Sequence, residues 1–341
     1  MFTRLFRFSL ICAAAALGGT SALSAAPSKP AGSTPLQAVR LRDVTLHYVA
    51  VGRGEPVVMV HGGLEDYRAW SAQLAPLASH YRAVAYSRRY NFPNRNETQP
   101  SYSAQVDADD LAMLIGKLHL GRVHLVGHSY GGLAALLFAT EHPELVRSLT
   151  LSEPPVFPWV EQQPGGAALV RDFFRRCWLP LQGALARHER KEALAIATKY
   201  FTGNSVLPPA ARDALAPNLR EWEVLTISDT PFPVPSTKLI EEFHAPVLLL
   251  TGDHTLPVLQ RCVAALTARL PESERVLIRN ATHDMWSERP QECGVALRQF
   301  LRETEDGARG GEQKGLHYRT TDYETTGRRE ENTEHRTPNA E

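Results

Sequence analysis

The sequence predicts an α/β fold: a mostly parallel, eight-stranded sheet with helices on both faces and a helical cap inserted after the sixth strand. Three observations point there. Apolar strand-like runs alternate with helical patterns along the chain, the order that winds a parallel sheet. The runs, PVVMVHGG and APVLLLTGD among them, are continuous rather than alternating, as strands covered on both faces require. One long stretch, 154–244, carries helical segments and proline clusters but no credible core strand, so it reads as an insertion.

In chain order, the first segment, 1–25, has the layout of a secretory signal peptide. Arg4 and Arg7 lead, an apolar run extends from Phe8 to Leu17, and small residues surround Ser24 to Ala26. The apolar run is too short for a convincing membrane span, so no stable membrane anchor is expected and the protein is expected to be exported, periplasmic or secreted. The core follows in two pieces, 36–153 and 245–302. VRLRDVTLHYVAVG (39–52) reads as an edge hairpin, and then come PVVMVHGG, YRAVAYS, RVHLVGHS, VRSLTLSE, APVLLLTGD and RVLIRNATH. The helical cap, 154–244, is expected over the carboxyl ends of the strands, where open sheets hold their ligands. Its Phe157, Trp159, Phe173, Phe174, Trp178 and Trp222 could line an apolar pocket, though for any one of them packing the cap to the core is the simpler role. The last segment, 303–341, is nearly free of apolar residues and rich in charges of both signs, and reads as a disordered tail.

Charge and cysteine usage narrow the function classes. Lys plus Arg number 37 and Asp plus Glu number 37, so there is no net charge, and no basic patch with interleaved aromatics argues for nucleic acid. Beyond the leader three cysteines remain, Cys177, Cys262 and Cys293, an odd number without CxxC spacing. They read as buried thiols rather than a disulfide framework or a metal site. Neither a metal nor a cofactor is expected, and the expected partner is a small-molecule substrate. The sequence leaves the oligomeric state open.

The chemistry concentrates at Gly127-His128-Ser129-Tyr130-Gly131, a Gly-x-Ser-x-Gly motif. It follows the apolar strand VHLV and opens the helical run GGLAALLFATEHPELV. Ser129 therefore falls on a tight strand-to-helix turn that exposes its hydroxyl above the sheet. With His61-Gly62-Gly63 after the third strand, the cap position and a late histidine in order, the chain resembles the α/β-hydrolase superfamily from about residue 40 to 301. The resemblance implies the α/β-hydrolase fold, a nucleophilic Ser129, and an oxyanion hole made by the backbone amides of Gly63 and Tyr130. Haloalkane dehalogenases and epoxide hydrolases of this superfamily use aspartate at the elbow, so the serine discounts both. YSRRYNFPNRN (86–96) stands where many members have a glycine-rich loop. Arg88 and Arg89 there could bind a substrate carboxylate, but bracing the loop is favoured.

A serine hydroxyl needs a histidine to take its proton, and the histidine needs an acid to hold its tautomer. His283, in RNATHDMW, stands where the resemblance implies the base. His128 belongs to the elbow, and His254 lies a strand and a helix too early. The acid is less direct. The superfamily pattern puts it three residues after the glycine that ends the seventh strand, and counting from Gly252 that position is Thr255. Asp253 is one alternative acid, next to the glycine but differently aimed. Glu153, at the end of the sixth strand where some members carry the acid, is preferred. The expected activity is a cofactor-independent serine hydrolase cleaving small apolar carboxylic esters or lactones through an acyl-enzyme on Ser129. Hydrolysis of a C–C bond in diketones, or a ligand-binding receptor that retains the triad, are the alternatives.

Overall fold

A computed structural model of the chain describes residues 34–203, 206–270, 272–310 and 318–320. The apolar runs form strands β1 (Gln37–Arg40), β2 (Thr45–Val51), β3 (Glu55–Val60), β4 (Tyr81–Tyr86), β5 (Val123–His128), β6 (Val146–Ser152), β7 (Val247–Gly252) and β8 (Glu274–Ile278), joined by β9 (Tyr318–Thr320). They lie in one sheet in the order β1-β2-β4-β3-β5-β6-β7-β8-β9. The pairs β1/β2 and β2/β4 are antiparallel and the remainder parallel.

Side chains that alternate along a strand point to opposite faces, and here each face has its own core. Val58, Val60 and Leu125 pack with Leu111 and Leu114 of α2 (Ala104–Lys117) and Leu133 and Leu137 of α3 (Ser129–Glu141). Val57, Met59 and Val126 face Leu77 of α1 (Ser71–Ala78) and Leu297, Phe300 and Leu301 of α13 (Pro290–Gly310). Each such aliphatic side chain, fully buried, contributes roughly 1.5–3 kcal/mol. Where both sides are covered the strands carry apolar runs, Val57–Val60 of β3 and Val247–Leu250 of β7.

Between β6 and β7 the chain is helical. Among the described residues seven α-helices fill it: α4 (Phe157–Glu161), α5 (Gly166–Phe173), α6 (Leu179–Ala186), α7 (Arg190–Thr202), α8 (Pro209–Leu215), α9 (Leu219–Leu225) and α10 (Thr237–Glu241). A π-turn over Phe174–Trp178 links α5 to α6 and leaves Cys177 and Trp178 buried. α11 (Pro257–Arg269) and α12 (Met285–Glu288) complete the order. Cys177, Cys262 and Cys293 are free and buried, and burial pushes their thiols up, Cys177 to about 12.

One expectation is corrected. The charged segment after residue 302 does not begin a structureless tail: α13 runs on to Gly310, and Tyr318–Thr320 pairs in parallel with β8 as a ninth strand. Glu and Arg support helix without being apolar. Strand β8 otherwise presents an open edge, which a Tyr-Arg-Thr segment is suited to extend. The leader segment lies outside the described residues. No helix among the described residues is long and apolar enough to cross a membrane.

Candidate active site

Ser129 and Glu153 reach the same level of the sheet for a simple geometrical reason. β5 and β6 are adjacent and parallel, with His128 beside Ser152 in the register. The next residue of each strand turns sharply, and both Ser129 and Glu153 adopt φ of +50°, a left-handed conformation that non-glycine residues rarely accept. The elbow also demands Gly131: a β-carbon there would lie 2.1 Å from the carbonyl oxygen of His61, so the first turn of α3 can press onto the loop after β3 only with glycine.

His283 joins the two. Its Nε2 is 2.8 Å from Ser129 Oγ and its Nδ1 is 2.6 Å from Glu153 Oε2. A carboxylate facing Nδ1 fixes the proton there, so Nε2 is left to accept from the serine hydroxyl. Glu153 is fully buried. Its carboxylate is compensated by donors from β7 and the loop beyond: Thr251 Oγ1 at 2.9 Å and the Gly252 amide at 2.9 Å reach Oε1, and Thr255 Oγ1 at 2.7 Å reaches Oε2. Thr255, at the position where the superfamily pattern has its acid, is thus a donor to the carboxylate that faces His283.

The other acidic candidate is elsewhere. Asp253 is half-buried and accepts from the Ala281 amide at 3.1 Å. Partial burial opposes its ionisation, but the Asn280 and Ala281 amides outweigh it and hold the carboxyl below its usual range. His254 is exposed. His128 packs its ring 4.8 Å from that of His283 and contacts Ser152 Oγ through Nδ1 at 3.2 Å. Burial, then the nearby His283, holds it well below its ordinary value and so neutral.

Gly62 and Gly63 border the elbow: a β-carbon on Gly62 would stand 3.2 Å from Ser129 Cβ. Leu64 follows at φ +63°. This loop is braced by Arg88, whose guanidinium donates to the carbonyls of His61 (3.1 Å) and Gly62 (3.0 Å), to Tyr102 Oη (3.1 Å), to Asp107 (2.6 Å) and to Glu221 of the cap. The Arg88 amide donates to His61 Nε2 at 2.9 Å, which places the His61 proton on Nδ1, against the Gly62 carbonyl at 2.8 Å. Arg89 pairs with Asp110 and Asp43. Both arginines are therefore committed within the fold. Glu65 accepts from the Gly62 amide at 2.7 Å, and burial, then the charge of Asp284, pushes it up to about 8.

Above the site the cap contributes rings. Phe157, Phe173, Phe174 and Trp178 cluster around Phe232, which also meets Tyr130 at 5.8 Å. Phe201 lies 5.3 Å from the His283 ring and 6.3 Å from Trp222. Trp159 instead packs under the Arg269 guanidinium of α11, 4.3 Å away. Phe201 and Phe232 carried no marker in the sequence beyond being aromatic: Phe201 is on α7, whose periodicity does not reveal which face meets the core, and Phe232 lies in the loop between α9 and α10. One possible cation-binding group, Glu55, His124 and Glu305, brings its ligand atoms within 4.8 Å of one another. It lies at the amino ends of β3 and β5, away from Ser129, and Glu55 already pairs with Arg147 at 3.2 Å.

A family model described as the alpha/beta hydrolase fold matches residues 55–290. Among relatives, the protein named epoxide hydrolase 3 of Xenopus tropicalis is 29% identical over 300 residues, covering 78% of this chain and 77% of the relative. Among solved structures, carboxylesterase CesB of Bacillus subtilis superposes with a TM-score of 0.64 at 21% identity, over 80% of this chain and 92% of that one. The enol-lactonase of Burkholderia xenovorans LB400 superposes with a TM-score of 0.56 at 18% identity, over 78% and 100%. The two structures speak to the fold alone.

Proposed function

The chain belongs to the alpha/beta hydrolase fold family, and from that premise we propose that it is a serine hydrolase that cleaves small apolar carboxylic esters or lactones. The observation that carries the reading is the continuous relay from Ser129 Oγ through His283 to the buried Glu153 carboxylate. In the proposed mechanism His283 Nε2 takes the hydroxyl proton as Ser129 attacks the carbonyl carbon. The resulting oxyanion is held by the Gly63 and Tyr130 amides, the latter at the N-terminus of α3, where the helix dipole favours negative charge. Collapse expels the alcohol, protonated by His283, and leaves an acyl-enzyme. Water, deprotonated by the same imidazole, then releases the acid and restores the serine.

The relative named for epoxide hydrolysis raises the competing reaction, and chemistry argues against it here. Opening an epoxide with a serine oxygen would leave a dialkyl ether, which has no acyl carbon for water to attack. A carboxylate nucleophile gives a hydrolysable ester instead, and the elbow residue is Ser129. The aromatic cap supports an apolar substrate. The leader composition supports export, which N-terminal sequencing of the secreted or periplasmic fraction would test by a start between about Ala25 and Ser28.

The deciding experiment is labelling with a fluorophosphonate, followed by a panel of short esters, lactones, diketones and epoxides. Adduct on Ser129, ester or lactone turnover, and loss of both in Ser129→Ala are expected. Epoxide turnover that survives Ser129→Ala would overturn the proposal.

A further inference from the structure

The indole N–H of Trp222 is buried and has no hydrogen-bond partner among the described residues. Its place is specific. Trp222 Nε1 lies 2.9 Å from where a β-carbon on Gly63 would stand, on the residue whose amide is the proposed oxyanion donor. Buried donors are rarely left unpaired, and among those that are, this one stands beside the proposed oxyanion hole. We propose that Trp222 N–H is a third donor to the substrate's carbonyl oxygen, delivered by the cap to the oxyanion hole. The inference rests on the serine-hydrolase reading given above.

The position of the indole is held from several sides. Glu221, its neighbour on α9, is fully buried and accepts from the Leu64 amide at 3.2 Å, immediately after Gly63. The same carboxylate receives Asn91 Nδ2 at 2.8 Å and pairs with Arg88, which itself grips the His61 and Gly62 carbonyls. At the start of α9, Asn218 donates to Asp66 at 2.9 Å and accepts from the Phe92 amide at 2.7 Å. The cap segment 218–221 is therefore held by five contacts that do not involve the indole, one to Leu64 beside Gly63, one to Asp66 and three to Arg88, Asn91 and Phe92 of the loop after β4. A donor fixed in this way needs no reorganisation when charge develops. The ring stands at the border of the site: Phe201 touches both Trp222 and His283, and Trp178 touches both Trp222 and Phe232, the neighbour of Tyr130. Gly63 is required here too, since any β-carbon would occupy the space into which the N–H points.

A merely structural tryptophan would fill the same volume without needing its N–H, and that separates the two roles. Trp222→Phe and, to keep the bicyclic shape, replacement of Trp222 by 3-benzothienylalanine both delete the donor. With p-nitrophenyl acetate as probe, each should lower kcat by about 100-fold with KM nearly unchanged, as loss of one preorganised oxyanion donor does. The rate of fluorophosphonate labelling at Ser129 should fall in parallel. Trp159→Phe, a buried cap tryptophan that packs on Arg269 away from the site, should lower neither by more than about threefold. Change in KM alone, benzothienylalanine activity equal to wild type, or an equal loss in Trp159→Phe would overturn the proposal. If wild type is not labelled at Ser129 the serine-hydrolase reading itself fails, and this inference with it; labelled wild type with an undiminished benzothienylalanine variant sinks this inference alone.

Discussion

Glu153 and Asp253 stand just beyond the ends of neighbouring parallel strands, one residue past β6 and one past β7, yet their surroundings are opposite. Glu153 is fully buried, turned at φ +50° toward His283, and met by three protein donors besides the imidazole. Asp253 is half-buried and turned to the Ala281 amide, with an exposed His254 beside it. Chain position relative to a strand end therefore does not choose an acid. What distinguishes the two is the backbone turn that aims the side chain, and the presence of donors that make a buried carboxylate tolerable.

The sharpest way to break this contrast is Glu153→Gln. The amide keeps the size of the side chain and an oxygen for the β7 donors. Its NH2 would then face Nδ1 of His283, drive the ring proton to Nε2, and leave nothing to accept from Ser129. A fall in kcat of roughly three to four orders of magnitude is expected, with far-ultraviolet circular dichroism unchanged. A loss below about tenfold would deny Glu153 its proposed role.

Several parts of this arrangement were legible from residue order. The parallel sheet followed from continuous apolar runs, and the elbow from a glycine-flanked serine between strand and helix. The threonine at 255 marked the usual acid position as vacant and drew attention to Glu153. Its second meaning, a hydroxyl serving the displaced carboxylate, needed coordinates, because Thr251, Gly252 and Thr255 converge on Glu153 across a sequence separation of about a hundred residues. Phe201, Phe232 and the Glu221 tie were opaque for the same reason: where cap helices and loops face depends on tertiary packing that sequence periodicity does not carry. The continuation of α13 past residue 302 is hidden from an apolar pattern, because Glu and Arg are good helix formers without being apolar.

Thr255→Val sharpens the contrast at intermediate size. The swap preserves shape and removes the hydrogen bond to Oε2, the oxygen that also faces His283. A hydrogen bond to a charged group is worth about 1.5–3 kcal/mol, so a stability loss in that range and a kcat reduction of about tenfold are expected from denaturant melts and steady-state rates. An unchanged variant would mean that the remaining donors suffice to hold Glu153.

The smallest effect is expected from Asp253→Asn, and its pH dependence distinguishes a structural carboxylate from a catalytic one. Asp253 has a folded pKa below its unfolded value, the amides of Asn280 and Ala281 having outweighed partial burial. A depressed carboxyl adds stability that is present above the unfolded value of about 4 and is lost as pH falls through the folded value. Asparagine lacks this contribution, so the variant should melt slightly lower than wild type at pH 7, by no more than about 3 °C for a partly solvated group. The gap should narrow as pH drops below about 4 and close below the folded value, where wild-type Asp253 also becomes neutral. Over the same range kcat should stay within about threefold of wild type wherever both proteins are folded, because the side chain meets the loop before His283 and not its imidazole. A kcat loss of a hundredfold or more at pH 7, with the melting temperature intact, would transfer the proposed role of Glu153 to Asp253.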